Sequence, residues 1–142
     1  VKRWDARIAM RAPGFRWWGP PVLGSERQFE PRNAAHEAHW TTTYPLLSVM
    51  PLRTCLARFR AIDVSALVVP QLSFYAKVDE VVSSKAIEAV MASWGGPADG
   101  VVVTPGPNDD VNHHVIAGDI LSPQQTTGVT EAALHWLEHT LG

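Results

Sequence analysis

A chain of 142 residues with 46% hydrophobic side chains, 18% charged side chains and a formal net charge of −2 has the make-up of one domain or of part of a larger one. Its charged fraction falls below the roughly 25% usual for a soluble domain, which points to surface meant to be covered. Acidic and basic residues are interspersed, with no basic stripe for nucleic acid, no apolar run near the ~18–20 residues that cross a bilayer, and a single cysteine, Cys55, which excludes an internal disulfide framework.

The chain begins at Val1, and "VKRWDARIAMRAPG" has the pattern of neither a signal nor a transit peptide. It therefore reads as starting within a longer protein. The lone cysteine fits a reducing compartment, so a cytoplasmic location is expected.

Two textures follow. Residues 1–62 are rich in Trp, Arg, Pro and His and show no strand pattern. "APGFRWWGPPVLG" (12–24) is dense in Gly and Pro and predicts loop or short turns. Asn33 in "PRNAAHEAHW" is placed to cap a short helix. "MPLRTCLARFRAID" (50–63) predicts a helix with Pro51 in its first turn, and Leu52, Cys55, Leu56 and Phe59 share one face at i, i+3, i+4, i+7. Cys55 is expected to be structural on that face.

Residues 63–142 alternate strand and helix. "ALVVPQLSFYA" (66–76) is a β-rich run, with pairing expected from about 71 because Pro70 cannot donate in a central ladder. "SSKAIEAVMASW" (83–94) predicts a helix capped by Ser83 or Ser84, with Ile87, Val90, Met91 and Trp94 inward. "GVVVTPG" (100–106) predicts a short, wholly apolar strand covered on both faces. The closing segment predicts a helix capped at Ser122, or at Thr126 or Thr127 if it starts later, with Val129, Ala133, Trp136, Leu137 and Thr140 or Leu141 as its apolar stripe. Two strands with an intervening helix imply parallel βαβ geometry, and a two-stranded parallel sheet asks for further strands. The fold class expected is α/β.

In open α/β sheets, chemistry sits just past the carboxyl ends of strands. Asp79 follows the first strand. His113 and His114, in "NDDVNHHVIAGD" (108–119), follow the second. An acid and an imidazole at one sheet edge suit a carboxylate that orients a histidine base toward a hydroxyl nucleophile. Asp109, Asp110 and Asp119 read as turn-formers, Asp119 with a possible hydrogen bond to loop backbone. His36 with His39, and His135 with His139, each offer two metal ligands without a third, so no metal is expected.

The segment "PQLSFYAKVDEVVS" (70–83) resembles the P-x-L-x-x-x-x-x-x-D-x-V-V stretch that carries the triad acid in the α/β-hydrolase superfamily. "HHVIAGDILSPQQT" (113–126), with a following helix containing "WL", resembles the histidine loop and last helix of its bacterial esterases, lipases and serine-aminopeptidase-like enzymes. The order acid, then histidine, agrees with that superfamily's Ser, Asp/Glu, His order. The resemblance covers about 30–142. It implies the C-terminal portion of an α/β-hydrolase fold: residues 1–62 as a helical cap segment and 63–142 as the βαβα part of the core. It implies Asp79 as triad acid, His114 as triad base with His113 its neighbour, an ester substrate in the intact enzyme, and no cofactor. Trp17, Trp18 and Trp40 would line a substrate pocket in the cap, pack within the cap, or form an exposed patch that meets the rest of the enzyme.

The departure is the nucleophile: no serine stands in a G-x-S-x-G elbow. The expectation is a fragment of a serine hydrolase, inactive alone and completed by a missing N-terminal half. The alternative is a non-catalytic module that binds or self-associates through an exposed sheet edge. Hydrogen-bond contact between Asp79 and His114 is the geometric observation that separates the two.

Overall fold

The computed structural model describes residues 12–141, except the side chain of Leu141. The expectations attached to the opening segment 1–11 lie outside these residues. Helices and small sheets alternate in an α/β arrangement, and the chain divides into two units between Ile62 and Asp63.

The first unit holds α1 (Phe15–Leu23), β1 (Glu26–Gln28), α2 (Ala34–His39), β2 (Thr43–Pro45), a 3-10 turn (Leu46–Ser48) and α3 (Val49–Arg60). Two expectations are corrected here. The Gly/Pro-dense stretch is a helix. Phe15, Trp18 and Gly19 fall on one face, and a Cβ on Gly19 would lie 2.8 Å from the Phe15 ring. Pro20 and Pro21 sit inside α1 without amide donors, and the helix stops soon after them, where Gly24 N–H bonds the Pro20 carbonyl. The region also contains strands. β1 and β2 pair antiparallel, Glu26 with Pro45 and Gln28 with Thr43. Three-residue strands built on "ERQ" and "TYP" carry no alternating apolar signal, so backbone pairing alone defines them.

Asn33 caps α2 as expected, its side chain accepting from His36 N–H at 2.8 Å. The small core of this unit is Phe15 and Leu46, each 1% exposed, with Leu47, Val49 and Met50 against it. The helix expected at 50–63 forms as α3, but most of its apolar stripe is uncovered among the described residues, with only Leu56 half-buried. Leu52 and Cys55 are exposed and Phe59 is 63% exposed, which corrects the core-facing role expected for Cys55.

The second unit runs through a 3-10 turn (Val64–Ala66), β3 (Gln71–Tyr75), α4 (Ser84–Ala92), β4 (Ala98–Val102) and α5 (Thr126–Leu141). β3 and β4 are parallel, in register from Gln71 with Ala98 to Tyr75 with Val102. The β3–α4–β4 crossover is the one expected, and the pairing of β3 begins just after Pro70. Ser83 caps α4 through Ala86 N–H. Ile87, Met91 and Trp94 are half-buried, whereas Val90 is exposed. The second strand starts two residues earlier than its apolar run, takes in Asp99, and leaves Asp99, Gly100 and Val102 exposed. The expected cover on both faces is absent among the described residues. Asp99 gains a partner instead, accepting from Trp136 Nε1 of α5 at 2.7 Å. α5 begins at the later of its two expected starts, and Leu137 is exposed while Val129, Ala133 and Trp136 are half-buried.

The turn from α4 into β4 leaves no room for side chains. A Cβ on Gly95 would fall 1.9 Å from the Ser65 carbonyl oxygen, and one on Gly96 would fall 2.3 Å from that of Val68. Glycine is required here by close backbone approach. That approach packs the turn against the 65–68 backbone just ahead of Ala98, which opens β4 opposite Gln71.

Candidate active site

Because β3 and β4 are parallel and in register, their carboxyl ends lie side by side, and the loops leaving them meet. Backbone fastens the two loops together: Glu80 N–H donates to the Asn112 carbonyl at 2.9 Å, and Val103 N–H to the Tyr75 carbonyl at 2.9 Å.

Asp79 sits in the tight turn between β3 and α4 and is 2% exposed. Its two oxygens have separate partners. Oδ1 accepts from Val81 N–H at 2.7 Å and Val82 N–H at 2.9 Å, organising the approach to α4. Oδ2 lies 3.0 Å from Nδ1 of His114, across 35 positions of sequence. Burial pushes the Asp79 carboxyl up, but the hydrogen bond from His114 and those from Val82 and Val81 outweigh it and hold the group below its ordinary value. An ionised carboxylate only accepts, so His114 must carry its proton on Nδ1. Nε2 then presents its lone pair. The His114 side chain is 43% exposed, and no hydrogen bond to Nε2 exists among the described residues.

The loop that carries His114 is built by buried acids. Asp110, 5% exposed, accepts from Asn112 N–H at 3.3 Å through Oδ1, and from His114 N–H at 3.0 Å and Val115 N–H at 3.1 Å through Oδ2. Its own N–H donates to Ser122 Oγ, which in turn donates to the Val115 carbonyl. Asp109 accepts from Gly106 N–H, Gln124 N–H and Gln125 Nε2. Burial acts to raise the Asp109 carboxyl, and these donors together lower it below its ordinary value. Both acids thus exceed the turn-forming role expected of them: they clamp a long loop onto the start of α5. Asp119 is exposed and has no hydrogen bond among the described residues.

His113 is held at φ 54°, a left-handed conformation that costs a non-glycine residue ~1 kcal/mol. Its Nδ1 is buried without a partner. The strain turns the chain between the Asp110 clamp and His114. It also separates the two histidines: one meets Asp79 and the other does not.

The depressed carboxyls set an acid limit. A group whose folded pKa is lowered stabilises fully above its unfolded value, about 3.9 for aspartate, and loses that contribution as pH falls through the folded value. Melting temperature is expected to stay level as pH falls to about 5, then to drop below about 4. Asp79→Asn and Asp109→Asn should each flatten that drop. Melting curves of the three proteins across this range check it, and an unchanged acid slope in both variants would contradict it.

The other candidates are placed elsewhere. His36 is buried between Phe29 and Trp40, with ring centroids 5.6 and 5.1 Å away, and its Nδ1 accepts from Arg32 N–H. It is a packed core histidine, and with His39 it joins no group of three ligands among the described residues. Trp17 is the most exposed of the tryptophans named above, Trp40 is also exposed, and Trp18 packs edge-on against Phe15.

No serine of residues 63–142 is bonded to His114. Ser65 engages Asp63, Ser73 accepts from Gln71, and Ser83 caps α4. Ser84 donates to the Lys77 carbonyl, Ser93 to that of Ala89, and Ser122 is fully buried in the clamp.

No helix of the described residues is long and apolar enough to cross a membrane. No family model matches the chain, and neither a curated protein nor a solved structure is significantly similar to it.

Proposed function

We propose that residues 63–142 supply the acid and the base of a serine-hydrolase triad of α/β-hydrolase type, with Asp79 orienting His114 and His114 relaying the proton of a nucleophile contributed by polypeptide outside these 142 residues. The contact that carries this reading is His114 Nδ1 to Asp79 Oδ2 at 3.0 Å. The carboxylate holds the tautomer in which Nε2 can remove a hydroxyl proton, then stabilises the imidazolium as Nε2 returns the proton to the leaving group. Its position at the carboxyl end of a parallel pair, with the acid after one strand and the histidine after the next, supports the same reading. The substrate class is an ester, with an amide second.

The serines fit this assignment, since each serine hydroxyl in the second unit already has a local partner. The 142-residue chain is therefore expected to show no specific, stoichiometric labelling by a fluorophosphonate probe, measured by intact-protein mass. Stoichiometric labelling lost in His114→Ala would place the nucleophile within the chain and overturn its assignment to an outside segment.

A second reading has its own observation. β3 and β4 each lack a partner on their outer edge among the described residues, and Val68 and Val69 stand exposed beside β3. Open edges of this kind pair with further strands. The same edges would receive either a missing N-terminal half or a second copy acting as a non-catalytic assembly module.

A further inference from the structure

The last turns of α5 read "HWLEH", residues 135–139. At i, i+3 and i+4, His135, Glu138 and His139 share one helix face. All three are exposed, and one ligand atom from each lies within 4.8 Å of the other two. The imidazole rings are 4.1 Å apart between centroids. The histidine pair is visible in the sequence as half a site; the carboxylate between them is the third donor.

A second observation concerns orientation. His139 Nδ1 lies 2.7 Å from the His135 carbonyl oxygen. A carbonyl only accepts, so Nδ1 carries the proton and Nε2 keeps its lone pair. This is the outer contact by which metal-binding histidines are held in one tautomer. The surroundings also favour a cation. α5 contains no lysine or arginine, and the C-terminal end of a helix carries partial negative charge.

We propose that His135, Glu138 and His139 bind one divalent transition-metal ion of the zinc class, with the outward positions left to water. Two imidazoles and a carboxylate form the mixed nitrogen and oxygen set such ions take, whereas Ca²⁺ and Mg²⁺ prefer oxygen alone. Ligand atoms about 2.0–2.1 Å from zinc stand roughly 3.3 Å from one another in a tetrahedron. Closing the site therefore takes only rotations of exposed side chains. It shares no residue with Asp79 and His114.

The test is calorimetric titration of the untagged chain near neutral pH with ZnCl₂ and, separately, MgCl₂. One saturable Zn²⁺ site per chain is expected, with no comparable response to Mg²⁺. His135→Ala and His139→Ala should each weaken it at least tenfold, and Glu138→Gln severalfold. Because the three side chains are exposed, far-UV circular dichroism should show unchanged helix in every variant. Absence of saturable Zn²⁺ binding would overturn the proposal. So would binding retained at full strength in the His135→Ala/His139→Ala double variant.

Discussion

Asp110→Ala should destabilise the protein by about 3 kcal/mol. The reason lies in what the carboxylate holds. Hydrogen bonds to a charged partner contribute roughly 1.5–3 kcal/mol each, and a buried donor left unpaired costs about 1–3 kcal/mol. Asp110 receives the amides of Asn112, His114 and Val115. These terms overlap, and part of the loop is wet, so the sum is well below three times the single value. Against a total stability of about 5–15 kcal/mol this is a large share. The loss should also be local: the segment 110–115 would open, and His114 would leave Asp79. Asp110→Asn keeps one accepting oxygen and should cost about 1 kcal/mol. Asp119→Ala, at an exposed position, should stay within about 0.5 kcal/mol. Urea unfolding measures the three values, and hydrogen exchange at His114 and Val115 locates the effect. Equal stability of Asp110→Ala and Asp119→Ala would remove the clamp from the account.

The second large effect concerns turnover. If the proposed triad holds, then in a polypeptide that supplies a nucleophile Asp79→Asn is expected to lower kcat for an activated ester about 10⁴-fold, the scale at which the wrong imidazole tautomer acts in a triad. His114→Ala should lose at least as much, and the double variant should lose little beyond either single one, as expected of two groups that work as a unit. Asp79→Asn keeps an oxygen that can accept from Val81 and Val82, so α4 retains its approach while the proton on His114 is no longer fixed. Steady-state kinetics of the four proteins decide the matter. Losses of only a few fold in both single variants would remove Asp79 and His114 from the chemistry. Imidazole ¹⁵N spectra of the 142-residue chain give the corresponding structural readout: Nδ1–H at His114, lost on Asp79→Asn.

What could be read from sequence divides along physical lines. Long elements with their own punctuation were legible: Asn33 and Ser83 as caps, the strand opening after Pro70, and the parallel crossover that puts Asp79 and His114 at one sheet edge. Elements made by tertiary contact were not. α1 persists through two prolines because Phe15 and Gly19 pack together, which a rule about turn residues does not see. β1 and β2 are too short to show alternation. β4 starts at Ala98, after a turn in which Gly95 and Gly96 lie against the 65–68 backbone, and no apolar count reveals that. The α3 stripe has the right period, but period reports which residues share a face and not whether anything covers it. The clamp of Asp109, Asp110 and Ser122 escaped for a related reason. A carboxylate that will bond amides across a loop looks in sequence like any acid in a turn. Glu138 escaped because an exposed carboxylate on a helix has the pattern of an ordinary solvated face.

The divided partners of Asp79 also set an order of assembly. The Oδ1 bonds reach amides only two and three residues ahead, and short loops of this kind close within about 10–100 ns. The Oδ2 bond to His114 spans 35 residues and must await the pairing of β3 with β4, a non-local step that is slow by comparison. The expected order has the carboxylate aimed by its own turn before the imidazole arrives. When the sheet closes, His114 meets an acceptor whose direction is already fixed, and ordering the acid adds little to the entropy cost of forming the pair.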